Sequence, residues 1–473
     1  MRLPDHKTKI VATIGPASES QDMLERLIRA GMNIARLNFS HGDFTTHAAV
    51  IQRIRAAEKA TGRKVAIMAD LPGPKMRLGK IDPEPIELRA GDMFTLTADD
   101  IVGDRQRVSM SFQSLPKVVT SGDLLFLNDG LVQLQVEAVS GRDVRCKVAV
   151  GGELRSKKGL NLPGIDLGIG AFTDHDRVCL AFALQNGVDA VSQSFVETAA
   201  DIEAVRKAAA AMGENPFIIA KIERVDALKH LDGILKAADG IMVARGDLGV
   251  EVPIEEIAIT QKKMIAKANL AGKSVIVATQ MLESMVSSRL PTRAEATDVA
   301  NAILDGADGV MLSAESAVGR FPEEAVGMLA KIARYTETNR PRTSLKAIHE
   351  LCEQDPVDSP AEGVSLIVKN ALETFPACAV FVPTRSGATV RMLSRFKPPA
   401  WIVAACIEKR LVRTLIFSYG VHPIEIENEP EDWSIYASEW LKREFASTGN
   451  GILVSGPSNR DARTNFRLEF LKF

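Results

Sequence analysis

The chain reads as an α/β protein centred on a (β/α)8 TIM-type barrel, with an inserted small β-barrel lid domain and a C-terminal α/β domain. Three observations predict this. Eight short apolar runs, rich in Ile and Val and each finishing in polar residues, recur between Lys9 and Ser316. Helical periodicity fills most of the gaps between them, as a parallel barrel requires. In one long gap the period switches from helical to alternating, which marks a β insertion.

The eight runs are KIVATIG (9–15), NIARLNFS (33–40), VAIMAD (65–70), DAVSQSF (189–195), FIIAKIE (217–223), GIMVARGDLG (240–249), SVIVATQ (274–280) and GVMLSAES (309–316). Each is too short for a buried helix and apolar on both faces, so it suits a strand of a parallel sheet. Between the first two lies SQDMLERLIRAG, where Ser20 can cap a helix and Gly31 can close it. Before the last run, TRAEATDVANAILDG puts Ala296, Val299, Ala300 and Ile303 on one face, with Pro291 ahead and Gly306 behind.

From roughly Leu71 to Gly170 the chain alternates instead, in MFTLT, LLFLN, LVQLQVEAV and DVRCKVAV, with Gly-Asp, Asn-Asp-Gly and Ser-Gly turns between. This predicts a small antiparallel β domain. It leaves from the carboxyl end of the third strand and so hangs over the edge where barrel enzymes place their chemistry, as a lid would. Its return, SKKGLNLPG, brings two adjacent lysines back to the barrel mouth. After Arg340 a charged segment leads to ACAVFVPT, AWIVAAC, VHPIEI and GILVSG, which alternate with helical stretches. The expected domains are a barrel over 1–70 and 171–340, a lid over 71–170, and a C-terminal α/β regulatory domain over 341–473.

Composition suits a large soluble enzyme. The net charge of −2 offers no basic footprint for nucleic acid. Cys146, Cys179, Cys352, Cys378 and Cys406 lack metal or redox spacing and are odd in number, which fits reduced thiols and a cytoplasmic location. No signal-peptide pattern and no apolar run of membrane length is expected.

Lys221 and Glu223 are two apart on one strand and therefore point the same way. Asp247 and Thr279 arrive at the ends of the next two strands. A lone Lys-Ile-Glu suits a surface ion pair, and a lone Gly-Asp suits a turn. A lysine, two carboxylates and a hydroxyl at one sheet edge suit an active site.

KTKIVATIGPAS (7–18), GMNIARLNFSHG (31–42), KIERVDAL (221–228), IMVARGDLGVE (241–251), ATQMLESM (278–285) and PTRAEATDVANAILDGADGVMLSAES (291–316) together resemble pyruvate kinases. The likeness spans all three domains and is loosest at the C-terminus. It implies transfer of the phosphoryl group of phosphoenolpyruvate to ADP, giving pyruvate and ATP at the last step of glycolysis. It further implies Mg2+ or Mn2+ on Glu223 and Asp247, with Arg36 and Lys221 on the phosphoryl group and Thr279 beside the carbon that is protonated. Ala244, Arg245, Gly246 and Asp247 would meet substrate, and Asn38, His41, Arg77 and Lys158 the nucleotide. A homotetramer is implied by the resemblance alone.

One departure from the family's common pattern is informative. Asn38, Ser40, Asp70 and the Leu71 carbonyl match the family's potassium site, but Lys75 stands where many members carry glutamate. This is the pattern of the branch that works without potassium. TRSGAT (384–389) follows a strand and opens a helix, so Thr384, Ser386, Gly387 and Thr389 suit a cradle for a phosphorylated effector, with Arg460 and Arg463 as further candidates. An ordinary helix cap is the plainer reading. Two other functions share parts of the pattern: a phosphoenolpyruvate- or pyruvate-handling lyase on a related barrel, which has no need of a nucleotide lid, and a non-catalytic regulatory homologue, which would be expected to lack a catalytic group.

Overall fold

The computed structural model describes residues 3–340, 359–445, 448–457 and 465–473. Eight parallel strands close a barrel: Lys9–Thr13, Met32–Asn38, Ala66–Leu71, Ala190–Gln193, Phe217–Ile222, Gly240–Ala244, Ser274–Ala278 and Gly309–Leu312. Alternation sorts their side chains. Ile10, Ala12 and Leu37 pack outward under the helices, whereas Val11, Ile34, Met68, Ile219, Met242 and Ile276 fill the interior. Ile416 and Phe417 of the C-terminal domain join that inner cluster, and Phe417 stacks on Phe217 with centroids 5.0 Å apart.

Local signals set the helix ends. Ser20 Oγ accepts from Met23 N at 3.3 Å to start the helix Gln21–Ala30, and Gly31 ends it with φ 128°, a conformation few other residues adopt. The helix Arg293–Asp305 opens on a reciprocal Thr292–Glu295 capping box and ends at Gly306. Its buried stripe is Val299, Ala302 and Ile303, while Ala296 and Ala300 are only half-buried. The helix also packs on Pro322–Thr338.

The insert forms a six-stranded sheet plus the two-stranded pair Ile86–Leu88 and Gly152–Leu154. Its pairing departs from the expected all-antiparallel order in one place. Met93–Thr97 and Arg107–Ser109 run parallel, because the chain between them returns to the same end before re-entering the sheet. In the C-terminal domain Val421–Glu425, Trp401–Cys406, Ala379–Pro383 and Asn450–Ser455 are parallel neighbours. A fifth strand, Arg467–Lys472, pairs antiparallel with Asn450–Ser455 and was not expected from sequence. Only Leu471 of that strand is buried, so it carries almost no hydrophobic signal. Among the described residues no helix is long and apolar enough to cross a membrane.

Candidate active site

Strand register brings the polar ends together. Asp70 pairs across the sheet with Asn38 on one side and Ser192 on the other. Its carboxylate accepts from Ser192 Oγ at 2.7 Å and from Arg36 Nε at 3.0 Å, with Arg36 Nη2 closer still. Lys221 Nζ lies 3.3 Å from Asp70 Oδ1, 2.8 Å from Glu223 Oε1 and 2.7 Å from Ser194 Oγ. Two cations thus share one buried carboxylate. Burial alone would raise the Asp70 pKa, but Lys221 and Arg36 hold it at about 2. Burial would likewise strip the proton from Lys221, and Asp70 and Glu223 instead raise its pKa.

Glu223 sits one residue beyond its strand, and its second oxygen accepts from Phe195 N at 2.8 Å. Asp247 lies on the short helix Arg245–Glu251, where burial and then Glu223 push its pKa up to about 7, with Lys221 offsetting part of the rise. Arg245 pairs with Asp298 at 2.7 Å and donates to Thr279 O at 2.8 Å. Thr279 has φ 71°, a strained choice for a β-branched residue. Its Oγ1 accepts from Gly246 N at 2.7 Å, so it caps the neighbouring helix, not the one that follows it in sequence. Arg36, Asp70, Lys221, Glu223, Gly246, Asp247 and Thr279 therefore form one connected mouth.

Known proteins resemble this chain in sequence and in fold. The model of the pyruvate kinase barrel domain matches residues 5–326, and that of the pyruvate kinase alpha/beta domain matches 362–466. The chain belongs to the pyruvate kinase family. It is 48% identical to a pyruvate kinase of Thermococcus litoralis over 424 residues, which is 89% of both chains. Against that of Clostridium acetobutylicum it is 39% identical over 466 residues, covering 97% of this chain and 98% of the other. The crystal structure of a pyruvate kinase from Cryptosporidium parvum superposes with a TM-score of 0.90 at 35% identity, covering 98% and 96% of the two chains. Members of the pyruvate kinase family are phosphotransferases, and so is this enzyme.

The candidate nucleotide side of this pyruvate kinase-family mouth is built from the insert's two crossings and from the end of the strand Met32–Asn38 with the loop after it. Lys75 is half-buried, and its pKa falls to about 8 through burial first, then the charges of Arg77 and Lys221, while Asp70 works the other way. His41 is exposed at its surface yet partly desolvated by its neighbours, and that desolvation, followed by the charges of Lys75, Arg77 and Arg36, lowers its pKa. Arg77 donates to Lys157 O at 3.3 Å, and Lys158 is held by Leu78 N donating to its carbonyl at 2.9 Å. Asn38 Oδ1 accepts from Ser40 N at 3.1 Å. Among the described residues, no group of three or more His, Cys, Asp or Glu converges as a full metal cage. Glu223, already paired with Lys221, and Asp247, whose pKa is raised by burial and then by Glu223, are a carboxylate pair whose hard oxygens suit a magnesium-like ion that keeps several waters.

Ser192, Ser194 and Asp298 were missed in sequence. The two serines follow the same period of two that exposed Lys221 and Glu223, so the signal was there. Asp298 comes from a helix, and no local pattern points to it.

At the far end, Thr384 Oγ1 accepts from Gly387 N at 2.9 Å and Gly387 has φ 78°. Thr384, Ser386 and Thr389 line a cavity of about 770 Å³ with Arg385, Glu408 and Phe466. Arg460 and Arg463 lie outside the described residues.

Proposed function

We propose that this mouth transfers the phosphoryl group of phosphoenolpyruvate to ADP, giving pyruvate and ATP. The observation that carries the reading is the pair of largely buried cations, Arg36 and Lys221, held against Asp70 at the carboxyl edge of the barrel. Phosphoryl transfer is mostly positioning and neutralisation of moving charge, so cations fixed before substrate arrives lower the barrier. Arg36 grips the phosphoryl group from a frame set by Asp70 and Thr13. Lys221 stays charged despite burial and follows the group in flight. The backbone of Ala244, Arg245, Gly246 and Asp247 at a helix start meets the substrate carboxylate, with the Gly246 N–H exchanging its contact to Thr279 Oγ1 for the substrate, and Arg245 is locked by Asp298 for that purpose. Thr279 places its hydroxyl beside the enolate carbon, with water as the proton source. His41, Arg77, Lys158 and Asn38 face the nucleotide. Glu223 and Asp247 would hold a divalent ion, Mg2+ or Mn2+, which supplies Lewis-acid neutralisation of the reacting oxygens when bound.

Potassium is not required on this reading. Lys75, close enough to Asp70 for their charges to interact, supplies the charge at the pocket of Asn38, Ser40, Asp70 and Leu71, and a unit charge acting over a distance of about 5 Å at an effective dielectric near 20 is worth roughly 3 kcal/mol. Replacing potassium by a bulky ammonium salt at constant ionic strength should change turnover less than about twofold, while chelating the divalent ion should abolish it. A lysine with pKa about 8 is charged at neutral pH and loses its proton above that value. kcat/KM for phosphoenolpyruvate should therefore fall above about pH 8, and potassium should begin to help there. Lys75→Glu should lose activity and regain part of it with potassium. A wild-type rate that collapses without potassium at pH 7 would remove Lys75 from this role.

The Thr384–Thr389 loop and its cavity are proposed as the seat of a phosphorylated effector. Titrating sugar phosphates and AMP while recording the phosphoenolpyruvate saturation curve should shift that curve with at least one of them. No shift with any would leave the loop as a turn and cap. Exposed Ile254, Leu290 and Val318 support burial between copies in a homotetramer with twofold interfaces. The free cysteines among the described residues, three of them buried, accord with a cytoplasmic enzyme.

A further inference from the structure

Ser194 is 3% exposed and belongs to no substrate contact described above. Its Oγ accepts from Lys221 Nζ at 2.7 Å and donates to Leu71 O at 2.8 Å. A hydroxyl has one proton to give, and here the Leu71 carbonyl takes it. The oxygen is thereby oriented to accept, and Lys221 is the donor it meets. An ammonium group has three N–H bonds, and those of Lys221 are directed at Ser194, Glu223 and, at the longer 3.3 Å, Asp70. The two short contacts anchor the group. The long one is the contact most readily exchanged for an incoming phosphoryl oxygen.

The same serine touches the lid hinge. Leu71 is followed directly by Pro72, Gly73 and Pro74, where the chain leaves the barrel for the lid. A Cβ at Gly73 would lie 2.9 Å from the Phe195 ring and 3.2 Å from Ser194 Cβ, so the hinge rests on the Ser194–Phe195 turn. Gly73 N donates to Asp176 Oδ1 at 2.9 Å, and Asp176 is fully buried, which fixes the hinge from its other side. Phe195 has φ 59° and spends its N–H on Glu223. One turn therefore carries Lys221, the candidate metal ligand Glu223 and the start of the lid.

Resting on the phosphotransfer reading, we infer that Ser194 is a positioning residue, which holds the Lys221 ammonium in register with the lid hinge through the Leu71 carbonyl. It touches no substrate, so its removal should reach the reaction through the group that it orients, Lys221.

Ser194→Ala should lower turnover about thirtyfold, the size expected for a lost hydrogen bond to a charged group, with KM for phosphoenolpyruvate changed less than about twofold. Exchange of the pyruvate methyl protons in deuterated water, with Mg2+ and ATP present, reports the enolate end of the site. It should stay within about threefold of wild type, which also shows that the variant is folded. Adding Ser194→Ala to Lys221→Met should cost less than about twofold more than Lys221→Met alone, because the partner it positions is gone. The inference is overturned if turnover is unaffected, if turnover and exchange fall together, or if the two substitutions multiply. Wild-type protein runs in the same assays. If it makes no pyruvate in the presence of ADP, the phosphotransfer reading itself fails, whereas normal wild-type turnover with an unimpaired Ser194→Ala sinks only the role of Ser194.

Discussion

Lys221→Met should cut turnover about a thousandfold or more, equivalent to roughly 4 kcal/mol of barrier. The ammonium has its contacts to Asp70, Glu223 and Ser194 in place before substrate arrives, so little reorganisation is needed as charge moves onto the transferring group. Methionine keeps the length of the stem and its packing while removing the charge. The fold should persist, and the loss should appear in kcat more than in KM, since an interaction that strengthens in the transition state is what has been removed. Steady-state kinetics on the purified variant, with circular dichroism as the check on folding, decides the matter. Retention of more than about a tenth of wild-type turnover would strip Lys221 of its role.

Asp70→Asn should act on stability as well as on rate. Asp70 is the carboxylate that Arg36 and Lys221 share, and all three side chains are largely withdrawn from water. Removing its charge leaves two buried cations facing a neutral amide, which costs about 3–5 kcal/mol by analogy with other broken buried pairs. The pH dependence gives a sharper test. Asp70 has its pKa depressed from 3.8 to about 2, so its stabilising contribution is fully present above its unfolded value and is lost as pH falls through about 2. That shift corresponds to on the order of 2 kcal/mol. The stability gap between wild type and Asp70→Asn, measured by urea denaturation followed by circular dichroism, should be constant above about pH 5 and shrink as pH drops below 4. A gap that stays constant down to the acid limit of the fold would show that the carboxylate charge is not what holds the pair.

Much of this was legible in the chain because parallel strands advertise themselves. An Ile/Val run buried on both faces and finishing in polar residues tells where a strand lies and which end carries chemistry, and the period of two put Lys221 and Glu223 on one side. Ser192 and Ser194 obey the same rule. They escaped because serine has no charge to draw the eye, and its use here depends on partners from two other strands. Asp298 reaches Arg245 from a helix, a tertiary placement no local period encodes. Arg467–Lys472 was lost because an edge strand with one buried residue has no alternation to read. The parallel pairing of Met93–Thr97 with Arg107–Ser109 depends on where a loop returns, which composition leaves open. The role proposed for each residue toward substrate rests on family resemblance, and geometry supplies a physical reason for it: shared buried charge at Asp70, strain at Thr279 and a carboxylate pair at Glu223 and Asp247.

The most direct test of the account is pyruvate release from phosphoenolpyruvate by the purified wild-type protein with Mg2+, run with and without ADP and followed by a coupled reduction of the pyruvate formed. The account predicts release that depends on ADP and is matched mole for mole by ATP. Pyruvate formed equally well without ADP would point to lyase or phosphatase chemistry at the same mouth, and no pyruvate under either condition would show that Arg36, Lys221, Glu223 and Asp247 are gathered there for something other than phosphoryl transfer.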